Sequence, residues 1–146
     1  MSAPQKQLNI LLVEDNPADA HLSRIALMTG AFPVHIHHVD DGFKAMAFLH
    51  HKVPYNSSPR PDLVLLDLNL PLKSGKDVLA ESKSDPELCS IPVVVLTTSS
   101  DRSDVAFCYR SGANEFVTKP LNIDQFVACM NDLEVFWFSD ATLPSR

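Results

Sequence analysis

The sequence predicts an α/β sandwich, a parallel β-sheet covered by helices on both faces. Short apolar runs alternate with longer stretches of helical periodicity, in the order β then α, five times over. The runs LNILLV and IPVVVL are unbroken rather than alternately polar, which marks strands buried on both faces. At 146 residues the chain fits one receptacle for a single core, with no need of disulfide or metal staples.

Each element has its own signal. Leu8 to Val13 is strand-like. Asp15 or Asn16 can cap the helix that follows, with Pro17 in its first turn and Asp19 near its positive end. Ala18, Leu22, Ile25 and Ala26 mark one face of that helix, and Gly30 ends it. Val34 to Val39 is the second strand, followed by a helix over about Gly42 to His51. Asp62 to Leu66 is the third strand, with a helix over about Gly75 to Lys83. Ile91 to Leu96 is the fourth, after which Asp101 caps a helix carrying Val105, Cys108, Tyr109 and Gly112 at helical spacing. Phe116 to Thr118 is a short fifth strand. The last helix, about Ile123 to Phe138, carries Ile123, Phe126, Val127, Met130, Leu133 and Trp137 at intervals of three and four. Between the second helix and third strand, Val53 to Pro61 (VPYNSSPRP) is a long proline-containing surface loop. One domain over residues 1–146 is expected, with its core at about 8–138, no output domain and a loose tail from Asp140.

Composition narrows the function classes. A net charge of −6 argues against direct contact with nucleic acid. The three cysteines, Cys89, Cys108 and Cys129, are widely spaced without CxxC and read as reduced core thiols in a reducing compartment. No run approaches a membrane span, and the start MSAPQKQLN lacks the apolar centre of a secretion signal. A soluble cytoplasmic protein is expected.

In an open α/β sheet the functional crevice lies outside the carboxyl ends of the strands. Those ends carry Glu14 and Asp15 after strand one, Asp67 after strand three, Thr97 and Thr98 after strand four, and Lys119 before Pro120 after strand five. Crowded carboxylates repel, and burial penalises their charge, so the cluster needs cations. Mg²⁺ suits two or three carboxylates and a carbonyl; zinc fits poorly, since neither His nor Cys lies at these ends. With phosphoryl oxygens held by Mg²⁺, Lys119 and the Thr97 hydroxyl, Asp67 is the natural nucleophile, because a carboxylate attacks phosphorus without a general base. The product is an aspartyl phosphate.

Taken together, VEDNPAD (13–19), LLDLNLP (65–71), VVVLTT (93–98) and GANEFVTKP (112–120) strongly resemble the receiver domain of two-component response regulators. The intervals, 30 residues from Asp67 to Thr97 and 22 from Thr97 to Lys119, match the family's pattern. The resemblance covers residues from about 8 to 138. It implies a flavodoxin-like, doubly wound (βα)5 sandwich with a five-stranded parallel sheet in the order 2-1-3-4-5. It implies phosphorylation of Asp67 by a sensor histidine kinase, self-catalysed transfer and dephosphorylation rather than enzymatic turnover, and Mg²⁺ held by Glu14, Asp15, Asp67 and the Asn69 carbonyl, Glu14 through water. Thr97 and Phe116 occupy its switch positions, Phe116 without the hydroxyl of the more usual tyrosine. The peptide before Pro120 is often cis in this family. RPDLVLLDLNLP, IPVVVLTTSS, the proline-containing loop and the ending FWFSDATLP further resemble the small regulators that partner cyanobacterial phytochrome kinases.

Each residue has a plainer reading: Asp15 alone would be a helix cap, Lys119 a surface lysine, Thr97 a strand-end hydroxyl and Phe116 core. Their joint occurrence favours the phospho-acceptor site. His35, His37 and His38, with His50 and His51, invite a metal reading, set aside because His35 and His37 point one way from a strand and His38 the other. Phe136, Trp137 and Phe138 span about 200° of a helix surface, so they cannot all be core, and they predict a homodimer interface on the last helix. An aspartate-nucleophile phosphatase would want a second Asp where Asn69 stands. A flavin or dinucleotide carrier would want GxGxxG or a Walker loop, which four scattered glycines do not make. A phosphorylation-independent interaction module is the milder alternative.

Overall fold

The computed structural model describes residues 7–30, 33–98, 101–119, 124–125, 127–128 and 131–132. The strands β1 (Leu8–Val13), β2 (Val34–Val39), β3 (Leu63–Leu66), β4 (Val93–Thr97) and β5 (Glu115–Thr118) pair in parallel in the order β2-β1-β3-β4-β5. Between them run α1 (Pro17–Met28), α2 (Gly42–Leu49), α3 (Gly75–Ser84) and α4 (Arg102–Arg110), and the described residues from 124 to 132 are helical. The chain moves outward from β1 to β2, then returns to place β3 on the other side of β1. That reversal puts the ends of β1 and β3 side by side, where an open parallel sheet forms its crevice.

Successive side chains on a strand point to opposite faces, so each apolar run feeds two cores. Leu11, Val13, Val64, Leu66, Val93 and Val95 pack under α2, α3 and α4, against Phe48, Leu49, Val78, Leu79 and Cys108. Ile10, Leu12, Leu63, Leu65, Val94 and Leu96 pack on the other face, against Ala20, Ala26 and Leu27 of α1. Side-chain oxygens satisfy the otherwise unpaired N–H groups at the helix starts: Asn16 accepts from Asp19 N, Asp41 from Lys44 N, Ser74 from Asp77 N and Asp101 from Ser103 N.

Several expectations need correction. The buried residues of α1 are Ala20, Ser23, Ala26 and Leu27; Ala18 and Ile25 are exposed. Small residues let the helix sit close on the sheet, and Ser23, fully buried and polar, was invisible to a count of apolar positions. β4 starts at Val93, because Pro92 has no N–H to donate to the ladder, and extends to Thr97, which pairs with Thr118. β3 starts at Leu63; Asp62 before it donates its N–H to Asn9 O at 2.7 Å and accepts from Asn9 N through its carboxylate at 2.8 Å. β5 begins one residue early, at Glu115, and α2 ends at Leu49, capped by His50, with His51 at φ 57°. Tyr109 is exposed and Phe107 packs against the core in its place. Of the thiols, Cys108 is buried but Cys89 is exposed; Cys129 lies outside the described residues. So do Pro120, where a cis bond was expected, and the 136–138 aromatic cluster. The Val53–Pro54 peptide is cis.

Candidate functional site

The site is assembled from backbone that the sheet has already fixed. Glu14 N donates to Val39 O at 3.0 Å and Asp67 N to Val13 O at 3.0 Å, so both acids continue the ladders on either side of β1. Lys119 N donates to Thr97 O at 2.8 Å, continuing β5 along β4. From there the Lys119 side chain reaches back across the sheet edge. Its Nζ donates to Glu14 Oε1 at 2.5 Å, to Asp67 Oδ2 at 2.8 Å and to Asp19 Oδ2 at 2.8 Å. Side-chain exposure is 6% for Lys119, 3% for Glu14, 7% for Asp67 and 30% for Asp19.

The other Asp67 oxygen, Oδ1, accepts from Asn69 N at 3.0 Å. Gly75, the first residue of α3, fixes the distance of that helix from the same acid. A Cβ there would overlap the Asp67 carbonyl oxygen and lie 2.5 Å from Leu68 Cα. A glycine is therefore needed for close approach rather than for its backbone angles. His38 contributes at the edge, its Nε2 lying 2.7 Å from Glu14 O.

Burial pushes the Glu14 carboxyl up to about 7 from its ordinary 4.5, against the Lys119 hydrogen bond and with help from the Asp67 charge. Burial works on Asp67 in the same sense but is outweighed by hydrogen bonds from Lys119, the Asn69 N–H and Glu14. Its carboxyl ends below the usual value. Burial likewise opposes charge on Lys119, yet bonds to Asp19, Asp67 and Glu14 hold the ammonium well above the ordinary lysine value. The two neighbouring carboxyls are thus pushed in opposite directions, Glu14 upward and Asp67 downward.

Three acids, Glu14, Asp19 and Asp67, share the single Lys119 ammonium and Asp15 adjoins two of them, so acids outnumber cations at the site. Ligand oxygens of Glu14, Asp15 and Asp67 lie within 4.8 Å of one another, and among the described residues they form the one group of three or more acids, histidines or cysteines able to converge on an ion. An all-oxygen donor set suits a hard divalent cation such as Mg²⁺ or Mn²⁺. The donors present fit that ion.

The structure brings Glu14, Asp15, Asp67 and Lys119 to one edge as the strand ends predicted, with Thr97 fully buried beside them at the end of β4. Phe116 sits on β5, half-buried against the α2–α4 core, and its N–H donates to the Tyr109 hydroxyl at 3.2 Å. Asp19 stands in the first turn of α1, as expected, and is in addition a third carboxylate on Lys119. Its place in the first turn of a helix that starts at the carboxyl edge of the sheet was the signal available. The histidines make no cluster with the acids: His35 and His37 share one face, their rings 4.2 Å apart.

The pattern shared by proteins described as response regulator receiver domains matches residues 10–131. The chain is 46% identical over 136 residues to response regulator Rcp1 of Synechocystis sp., covering 93% of this chain and 92% of that one. Among solved structures it is similar to the phosphorylated cyanobacterial phytochrome response regulator RcpA, with a TM-score of 0.89, 47% identity, and coverage of 96% of this chain and 100% of that chain. It is also similar to the Mn²⁺-bound form of Rcp1, with a TM-score of 0.86, 45% identity, and coverage of 94% and 99%.

Proposed function

The chain belongs to the response regulator receiver domain family, and from that premise we propose that it accepts a phosphoryl group on Asp67 from a phosphohistidine of a sensor histidine kinase of the phytochrome type. The observation that carries this reading is the Lys119 ammonium bonded to Asp67 inside an acid cluster that suits a hard cation. RcpA, described as a phosphorylated phytochrome response regulator, supports the choice of donor.

Glu14, Asp15, Asp67 and the Asn69 carbonyl would hold Mg²⁺, which supplies charge neutralisation and a fixed point for phosphoryl oxygens. The chain's own groups do the rest. Asp67, kept ionised by Lys119 and the Asn69 N–H, presents a carboxylate oxygen in line with the phosphorus–nitrogen bond. As the oxygen–phosphorus bond forms, the phosphorus–nitrogen bond breaks and its electron pair returns to the imidazole, which leaves neutral with its proton on the other ring nitrogen. The Lys119 ammonium and the Thr97 hydroxyl bind phosphoryl oxygens as charge develops. Among its residues α4 fully buries Cys108 alone, and its Tyr109 hydroxyl accepts from the backbone at Phe116. New charge beside Thr97 and Lys119 therefore biases the surface formed by α4, β5 and the following helical residues, the element through which the signal leaves. The protein acts in the cytoplasm through protein partners, as a homodimer and without touching DNA.

Incubation with acetyl phosphate and Mg²⁺ tests the reading. Intact mass should rise by one phosphoryl group, and Asp67→Asn should remove the gain; a parent protein of unchanged mass refutes it.

A further inference from the structure

Lys119 offers three N–H donors, and all three are committed: to Glu14, Asp67 and Asp19. A phosphoryl oxygen can obtain one only by exchange. The three acceptors are not equally replaceable. Glu14 and Asp67 are almost wholly buried, and an abandoned buried carboxylate has no water to turn to. Asp19 has a side chain 30% exposed, in the first turn of α1, where water can replace the ammonium. Asp19 is also held independently of Lys119, its backbone N–H donating to the Asn16 cap at 3.0 Å. It therefore has no structural need of the lysine.

We propose that Asp19 is a positioning residue that holds Lys119 in the resting site and competes with the incoming phosphoryl group for its ammonium. This rests on the reading of Asp67 as the phospho-acceptor and adds a regulatory element to it. Asp19 lies outside the metal-binding acids, so its effect is exerted through Lys119. It slows phosphorylation by occupying a donor that the incoming phosphoryl oxygen needs.

The test is the rate of phosphoryl uptake from acetyl phosphate with Mg²⁺, followed by intact mass, in the parent, Asp19→Asn, Lys119→Gln and the double variant. Asp19→Asn keeps shape and cap, and should raise the rate about three- to tenfold, as expected for a partly exposed ion pair released. Glu87→Gln, which removes the same charge from an exposed turn after α3, should leave the rate within twofold. In the Lys119→Gln background Asp19→Asn should give no gain, whether or not residual uptake is measurable. An Asp19→Asn rate equal to or below the parent's overturns the proposal, as does a gain that survives without Lys119 or is matched by Glu87→Gln. If the parent takes up no phosphoryl group, the function itself is refuted and this inference falls with it.

Discussion

Replacing Gly75 with alanine should destabilise the protein and slow its phosphorylation, although the same change at an ordinary helical position does the opposite. Gly75 opens α3, where alanine normally gains about 0.5 to 1 kcal/mol by restricting the unfolded chain and favouring the helix. Here the new methyl would overlap the Asp67 carbonyl oxygen and stand 2.5 Å from Leu68 Cα and 2.9 Å from Asp67 C. All three are backbone atoms, continuous with a ladder bond from Asp67 N to Val13 O, and no rotamer can relieve them. Ordinary carbon contacts need about 3.5 Å, so α3 must retreat by roughly 1 Å. Overpacking of that kind costs about 1 to 3 kcal/mol, giving a net loss of up to about 2.5 kcal/mol after the helical gain. Retreat also loosens the bond from Gly75 N to Leu68 O and disturbs the turn whose Asn69 N–H steadies Asp67. A misplacement of about 1 Å at a reacting group can cost up to ~100-fold in rate. Urea unfolding gives the first quantity and acetyl phosphate uptake the second. A Gly75→Ala protein as stable as the parent, or more so, and phosphorylated as fast would refute the claim that α3 is seated directly on the phospho-acceptor.

Two further outcomes follow, the first from the same geometry and the second from the sequence alone. In metal-free buffer the folded Glu14 carboxyl titrates near 7 against an unfolded value near 4.5; its contribution to stability is full below 4.5 and is lost as pH rises to about 7. That gap corresponds to ~3 kcal/mol at most, so urea midpoints should fall between pH 4.5 and 7 in the parent and much less in Glu14→Gln. The exposed aromatics expected at the end of the chain predict that Trp137→Ala sediments at half the parent's mass; an unchanged mass removes the last helix as the dimer surface.

Much of this site could be read before any coordinates, because its parts sit at positions the fold dictates. Glu14, Asp15, Asp67 and Lys119 follow strands and Thr97 ends one, and parallel strands bring all such ends to one edge. The strand runs were legible for a related reason: burial on both faces leaves few places for polar residues, as in Val93 to Leu96. Helix faces were harder. On α1 the contact is made by alanines, a leucine and a serine, so hydrophobicity pointed to Ile25, which faces out. Asp19 does stand in the first turn of α1, and because that place has a sufficient local explanation its bond to a lysine 100 residues away is signalled only by the helix starting at the carboxyl edge of the sheet. The role of Gly75 was hidden likewise, since a glycine records nothing of what stands against it.

The most direct test of phosphoryl acceptance is to reduce the phosphorylated protein with borohydride and sequence its peptides by mass spectrometry. An acyl phosphate on Asp67 is converted to homoserine at that position, and the account predicts homoserine at 67 alone. Conversion at any other carboxylate, or label that resists borohydride on a histidine or serine, would contradict it.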